Sequence, residues 1–565
     1  MIRVAKHARG LAIGATEGAD RNVLVGRVEQ LLSERAFVSG GRLIAPLESA
    51  AQVLDILGDT TTEWDEDVLR HARRQRTERS MQLRAKLEVA EALDDPLRTI
   101  GDYPRLAALD RHQVQAVAAL TAPSVRGIAL FDEQGTGKTI CALAGFDILR
   151  SRQCVRRLLV IAPKSVLGSW KEQAHRFLNN DLNVALVAGP RATRRRLILA
   201  PHDILLVGYE TAVQDEDLLR TVVGAQMSTY ALVVDESYFV KNPDTERSGA
   251  VARLRALCER AIVLCGTPAP NFAVDIVNQI DIADQGVAFA GRSMPTDPDA
   301  AATHIAEGLQ HAIFLRRLKD DVLPDLARKQ TTKIYLELSG AQKLLYEQTR
   351  NELVVAVRSV DDRQFRRQLT SFLAKRLRLL QICSNPRAID PLYDETPTKL
   401  QALDRLLSEL VEEQNRKVVI WSYFRASLES IAERYQKYGL VRIDGSISSI
   451  DARISAVERF QTDDNIRLFL GNAAAAGAGI TLTAAHHAVY ESFSNQAAHY
   501  MQSVDRIHRR GQVEQVTTHI LITRDTVEEA EYARLVTKER HGRQLLGDQL
   551  REEITRERFL SELTS

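Results

Sequence analysis

Three groups of residues have the types and spacing needed for phosphate chemistry. The first is Asp132-Glu133-Gln134-Gly135-Thr136-Gly137-Lys138-Thr139. It follows an apolar run, Gly127 to Phe131, and opens a helical pattern, Ile140 to Leu149. A strand, a glycine turn and a helix in that order let backbone N–H groups close around phosphate oxygens, and the helix N-terminus adds a favourable dipole. On this reading Gly135, Thr136 and Gly137 form the cradle of an ATP site. Lys138 reaches the β- and γ-phosphates, and the Thr139 hydroxyl holds Mg²⁺. The strict pattern wants a glycine where Asp132 stands, so these eight residues alone leave a plain glycine turn open.

The second group is Asp235-Glu236, directly after the apolar run Ala231 to Val234. Asp235 there would bind Mg²⁺ through water, and Glu236 would orient and activate an attacking water. An ordinary polar strand end is the alternative. The third group is Arg506 and Arg509, within Gln502 to Gln512. An arginine placed across a cleft from a γ-phosphate stabilises transition-state charge, and domain closure that delivers it couples hydrolysis to motion. A basic helix face is the alternative.

Positioning these groups calls for two α/β units. Gly127–Phe131, Leu158–Ala162, Ile204–Val207, Leu232–Val234 and Ile262–Leu264 are short apolar runs separated by helical patterns. Such alternation predicts a buried parallel sheet, with ligands at the carboxyl ends of its strands. A charged, helical stretch from about 301 to 399 follows. Alternation then resumes with Val418–Trp421, Val441–Ile443, Leu468–Leu470, His487–Tyr490 and Thr517–Ile522. This second unit has no phosphate loop of its own, so the two units are expected to share a cleft. Residues 1–100 differ. Leu24–Leu32 and Leu47–Leu57 have helical spacing around a strand-like Arg42–Ala45, and Trp64–Leu93 reads as a long charged helix or pair of helices. The expected division is an accessory region at 1–100, a first lobe at 101–335, a second lobe at 336–540 with a helical protrusion near 340–395, and a charged helical tail at 541–565.

The bulk composition agrees with a multidomain globular chain. The 565 residues are 45% hydrophobic and 26% charged, with a formal net charge of +1. That balance neither demands nor excludes nucleic acid, which local basic clusters would bind. Such clusters occur at Arg70–Arg79, Arg194–Arg196 and Arg366–Arg378. The five cysteines lack paired spacing, which argues against a disulfide framework or a zinc site. With no membrane-length apolar run and no signal-peptide pattern, cytoplasmic residence is expected.

Taken in order, the motifs resemble those of the SWI/SNF-type ATPases of helicase superfamily two, over roughly residues 105 to 535. Leu109 to Gln113 is similar to the adenine-reading glutamine motif, and Asp132-Glu133 before Gly-x-Gly-Lys-Thr is the superfamily form of the phosphate loop. Ile161 to Trp170, Gly208 to Thr211, Asp235-Glu236 with Lys241-Asn242, and Gly266-Thr267-Pro268 with Asn271 resemble the motifs that follow. Leu315 to Pro324 and Gln381 to Pro386 look like family-specific stretches. Arg442 to Gly445, Gly477 to Ala485 and Gln502 to Gln512 look like second-lobe motifs.

The resemblance implies two tandem RecA-like lobes and ATP with Mg²⁺ in the cleft between them. Gln113 and Gly479 join the nucleotide site. It also implies that Lys164, Ser165, Trp170, Tyr209, Thr267, Asn271, Asp444, Gly445 and Thr481 lie along nucleic acid, expected to be duplex DNA. The implied activity is translocation on double-stranded DNA. A strand-separating or annealing helicase and a low-turnover ATP-gated clamp are the alternatives. Ser237-Tyr238 stand where the family has Ala-His, which bears on coupling between the ATP site and Gly266–Pro268. The N-terminal region is expected to dock a protein partner, a second copy or DNA. The compact length and the absence of chromatin-reading patterns point to a bacterial or bacteriophage chain.

Overall fold

Strands buried on both faces are apolar throughout, and helices must cover them. Two parallel sheets of this kind form here, preceded by a smaller mixed sheet. The computed structural model describes residues 2–8, 10–15, 28, 37–39, 42–45, 47–58, 62–178, 182–225, 230–269, 273–289, 294–295, 297–323, 326–447, 450–476, 480–493, 497–509, 511–543 and 555–564.

The mixed sheet comprises β1 (Ile2–His7), β2 (Gly10–Ala15), β3 (Phe37–Ser39), β4 (Arg42–Ala45) and β5 (Thr62–Trp64), in the order β3-β4-β2-β1-β5. The hairpin β1–β2 was not evident from pattern, because its strands mix charged and small residues. The expected helix over Leu24–Leu32 lies outside the described residues except at Val28. Trp64–Leu93 resolves as one helix, Glu66–Asp94, of 29 residues and about 43 Å. Asp65 caps it by accepting from the Asp67 and Val68 N–H groups at 3.1 and 3.3 Å. Glu66 and Asp67 suit the positive end of its dipole. Val68 and Ala72 pack into the mixed-sheet core. Ala85, Val89 and Ala92 pack into the core of the next sheet.

That next sheet holds β6 (Gly127–Leu130), β7 (Arg157–Ala162), β8 (Val184–Val187), β9 (Ile204–Gly208), β10 (Tyr230–Asp235), β11 (Arg260–Leu264) and β12 (Phe314–Leu315). All seven run parallel in the order β12-β6-β11-β10-β7-β9-β8. Alternate residues feed two cores. Leu158 and Val160 face one, Leu159 and Ile161 the other. The second parallel sheet holds β13 (Lys329–Leu336), β14 (Val418–Trp421), β15 (Leu440–Ile443), β16 (Leu468–Gly471), β17 (His487–Tyr490) and β18 (Val516–Thr523), in the order β13-β18-β17-β14-β16-β15.

Three expectations need correction. The stretch 301–399 is not wholly helical, since it contains β12 and β13. Edge strand β13 begins Lys329-Gln330-Thr331-Thr332-Lys333 and is buried on neither face continuously, so it lacks the apolar signature of a central strand. Its eight residues pair with β18, so the change of sheet falls before Lys329 rather than at 336. The tail after 541 is not merely a charged helix. Its described helix, Arg556–Thr564, inserts Phe559 and Leu563 into the hairpin formed by helices Gly340–Arg358 and Asp362–Ser384. Phe559 lies 5.6 Å from Phe365, ring centroid to centroid. Among the described residues no helix is long and apolar enough to cross a membrane.

Gly127 starts β6, the strand that feeds the glycine loop, and a Cβ there would sit 1.8 Å from the Ala283 carbonyl oxygen. The backbone has to move to admit it. Gly127→Ala is therefore expected to lower stability by about 1–3 kcal/mol, read as a shift in the denaturant midpoint at unchanged slope.

Candidate active site

The loop after β6 turns twice through left-handed backbone, at Gly135 (φ 84°) and Gly137 (φ 87°). Only glycine adopts these angles without strain. Gly137 is also the N-cap of helix Lys138–Ser151, so the N–H groups of that helix face the loop. A Cβ on Gly137 would lie 2.2 Å from the Gln113 Nε2. Gln113 is 5% exposed, accepts from the Asp110 N–H at 3.0 Å and donates to the Thr136 carbonyl at 3.0 Å. Both ends of its amide are thus engaged within the protein. In this structure Gln113 braces the phosphate loop, a role the motif alone did not suggest. His112 Nε2 reaches the same Thr136 carbonyl at 2.8 Å. Lys138 Nζ donates to the carbonyls of Asp132 and Glu133 at 2.7 and 3.2 Å. Thr139, half-buried, is the second residue of the helix.

Asp235 ends β10, and its carboxylate is held on both sides. Trp170 Nε1 donates to Oδ2 at 2.7 Å, and the Glu236 N–H donates to Oδ1 at 2.9 Å. The Tyr209 hydroxyl donates to the Asp235 carbonyl at 2.7 Å. Glu236 itself sits at φ 50°, a left-handed conformation that costs a residue with a side chain about 1 kcal/mol or more. Its Oε1 accepts from Gln134 Nε2 at 3.2 Å. Burial, with the neighbouring Asp235 charge, pushes the Glu236 carboxyl up to about 7. Burial raises Asp235 as well. A Cβ on Gly266 would meet Gln134 Cγ at 2.1 Å, so this glycine leaves the space in which Gln134 reaches Glu236.

Beside Lys138, further positive charge comes from the second lobe. Arg506 is charge-coupled to Glu236, Asp505 and Asp235, and burial holds its guanidinium below the ordinary value. Arg509 donates to the Thr481 hydroxyl at 2.7 Å. Burial and the adjacent Arg506 push Arg509 down to about 10. A Cβ on Gly135 would be 3.7 Å from the Arg509 Cβ, so the second arginine packs directly beside the glycine loop. Tyr238, at the variant position, hydrogen-bonds Gln502 of the arginine segment, and burial raises its phenol. Ser237 donates to Gln279 Oε1 at 2.6 Å, and Gln279 donates to the Pro268 carbonyl. The acidic loop is therefore tied to the Gly266–Pro268 turn through Gln279 rather than through a histidine.

Several expected nucleic-acid contacts are relocated by packing. Trp170, Tyr209 and Thr267 are each 1% exposed, so none presents a surface to a strand, and the first two hold Asp235 instead. Asp444 is 5% exposed and turned onto Arg442 and Ser446. Thr481 orients Arg509. Lys164, Ser165 and Gly445 line the same cleft of about 2490 Å³ as Gly135, Gly137 and Arg509. Asn271 and Gly479 lie outside the described residues. Residues that pattern did not mark as functional are Gln134, Arg317 and Lys319. Arg317 donates to both Asp132 oxygens and to the His112 carbonyl.

The residues fit a nucleoside triphosphate and its metal ion. Glu236 Oε2, Gln134 Oε1 and Arg506 Nε are buried with no hydrogen-bond partner among the described residues. Unmet donors and acceptors beside a glycine cradle are capacity that phosphate oxygens, metal-bound water and an attacking water would take up.

Residues 110–388 match the SNF2-related domain and residues 398–511 the helicase conserved C-terminal domain. The protein YwqA of Bacillus subtilis is 31% identical over 466 residues, covering 78% of this chain and 48% of YwqA. The ISWI chromatin-remodeling complex ATPase ISW1 of Saccharomyces cerevisiae is 29% identical over 452 residues, covering 74% of this chain and 39% of ISW1. The chain thus spans less than half the length of these relatives. The Sulfolobus solfataricus SWI2/SNF2 ATPase core in complex with dsDNA is 23% identical and covers 78% of this chain and 97% of that one. Its TM-score of 0.35 is too low to bear on the site.

With Glu236 as the base, kcat/KM for ATP falls about tenfold per unit as pH is lowered through about 7, because the carboxyl must be ionised to accept a proton. Removing the Gln134 donor in Gln134→Leu destabilises the anion and moves that inflection upward. A pH profile whose inflection is the same in both proteins would discard Glu236 as the titrating group.

Proposed function

The chain belongs to the SNF2-related helicase-like ATPases, and on that premise we propose that it is a nucleic-acid-dependent ATPase that translocates along duplex DNA without separating the strands. The observation that carries the proposal is the convergence of two sheets on one cleft. Lys138, Asp235 and Glu236 come from the first, and Arg506 and Arg509 from the second. A site assembled this way turns over only when the lobes are apposed, so each hydrolysis is linked to a change of lobe arrangement.

ATP is the substrate. Lys138 and the glycine-loop N–H groups bind its phosphates, and Thr139 with Asp235 would hold Mg²⁺. When bound, the metal ion neutralises phosphate charge. Glu236 takes the proton of the attacking water. Arg506 and Arg509 balance charge that develops on the transferred group. The Ser237–Gln279–Pro268 connection carries lobe-one changes toward the turn at Gly266–Pro268.

Duplex DNA is favoured by likeness to a chromatin-remodeling ATPase. Lys164, Ser165 and Gly445 on the cleft surface are the contacts assigned to its backbone, which makes binding salt-sensitive and independent of sequence. We assign residues 1–100 as an accessory region, with the first motor lobe ending before β13 and the second carrying the helical hairpin at 340–384.

Phosphate release is expected to rise at least about tenfold with duplex DNA and not with RNA, and to be abolished in Lys138→Ala. Triplex displacement on a duplex track, without unwinding of a forked duplex, is the translocation signature. Stimulation by RNA alone, or unwinding of the fork, would replace this reading.

A further inference from the structure

Between β12 and β13 the chain runs along the glycine loop. Backbone pairing continues past the strand, with the N–H groups of Phe131 and Glu133 donating to the carbonyls of Leu315 and Arg317 at 2.8 and 2.9 Å. Arg316 donates to the carbonyls of Phe131 and Gly266. Arg317 grips Asp132. The next contact differs in kind, because it reaches the other sheet. Lys319 is 2% exposed. Its N–H donates to Glu133 Oε2 at 2.9 Å. Its ammonium pairs with Asp505 and donates to the His508 carbonyl at 2.9 Å. A Cβ on Gly135 would lie 3.1 Å from its Cε.

Asp505 and His508 are the residues immediately before Arg506 and Arg509. One ammonium therefore fixes the backbone or side chain next to each arginine, while its own N–H is anchored to the phosphate loop. We propose that Lys319 is the positioning residue that sets Arg506 and Arg509 in register with the phosphate loop, so that turnover depends on it and ATP binding does not. The proposal rests on the reading of those arginines as transition-state stabilisers. A buried ion pair with a second acceptor fixes geometry more than it adds stability. A small misplacement of a charge-stabilising group is enough to cost about two orders of magnitude in rate.

The test compares DNA-stimulated phosphate release against ATP concentration in wild type, Lys319→Met, Lys319→Arg, Asp505→Asn, Arg506→Ala and Arg509→Ala, with thermal unfolding of each. Lys319→Met and Asp505→Asn are expected to lose at least about tenfold in kcat with KM for ATP changed less than about threefold. Lys319→Arg is expected to recover part of the loss. Amide exchange over residues 504–509 should quicken in Lys319→Met without nucleotide, a readout independent of turnover. If Lys319→Met does not fold, Asp505→Asn and Lys319→Arg carry the comparison. Unchanged kcat in the lysine and aspartate variants, with both arginine variants inactive, overturns the inference alone. Active arginine variants overturn the site reading beneath it.

Discussion

The carboxylates of Asp235 and Glu236 are withdrawn from water, and the cations that offset them come from both sheets. Lys138 approaches from the glycine loop and Arg506 from the second sheet. Burying such charges is costly unless opposite charge is close. The first sheet alone supplies one lysine, whose ammonium is already shared with two loop carbonyls. Apposition of the lobes is therefore part of the electrostatic balance of the acidic pair, and the residues around it serve to hold that apposition. Trp170 and Tyr209 fix the aspartate, Gln134 fixes the glutamate, and Arg317 with Lys319 fixes the loop against the arginine segment.

How much of this could be read from sequence depended on whether a role is local. Every central strand of the two parallel sheets was legible, because burial on both faces leaves apolar runs, the one in β18 being confined to Ile520-Leu521-Ile522. Edge strand β13 was not, since half-exposed positions accept polar residues. In the site, Lys138, Asp235, Glu236, Arg506 and Arg509 stood out because each belongs to a run of consecutive residues with its own chemistry. Trp170 and Tyr209 were misplaced for the opposite reason. Their motifs lie at strand ends near the cleft, but the fold turns both side chains inward onto β10. Lys319 lies in the family-like stretch Leu315 to Pro324 but had no assigned role, since one lysine in a charged segment looks solvated until its partners far along the chain are known.

The variant pair Ser237-Tyr238 illustrates a substitution whose meaning lies in its neighbours. A hydroxyl in place of a methyl gains Gln279 as a partner, and a phenol in place of an imidazole spans to Gln502. The Ser237 hydroxyl has no counterpart in alanine, whereas the Tyr238 phenol replaces the hydrogen-bonding capacity of an imidazole. The acidic loop keeps connections toward Gly266–Pro268 and toward the arginine segment, through different atoms.

Helix Glu66–Asp94 is seated at one end in the mixed-sheet core and at the other in the core behind the glycine loop. A continuous helix of about 43 Å is stiff over its length. It has the geometry of a lever, with its inner seat inside the first parallel-sheet lobe. The two seats are about 28 Å apart, so a tilt of that lobe by about 10° sweeps the mixed sheet through roughly 5 Å. The mixed sheet therefore follows the first parallel-sheet lobe through a single rigid element.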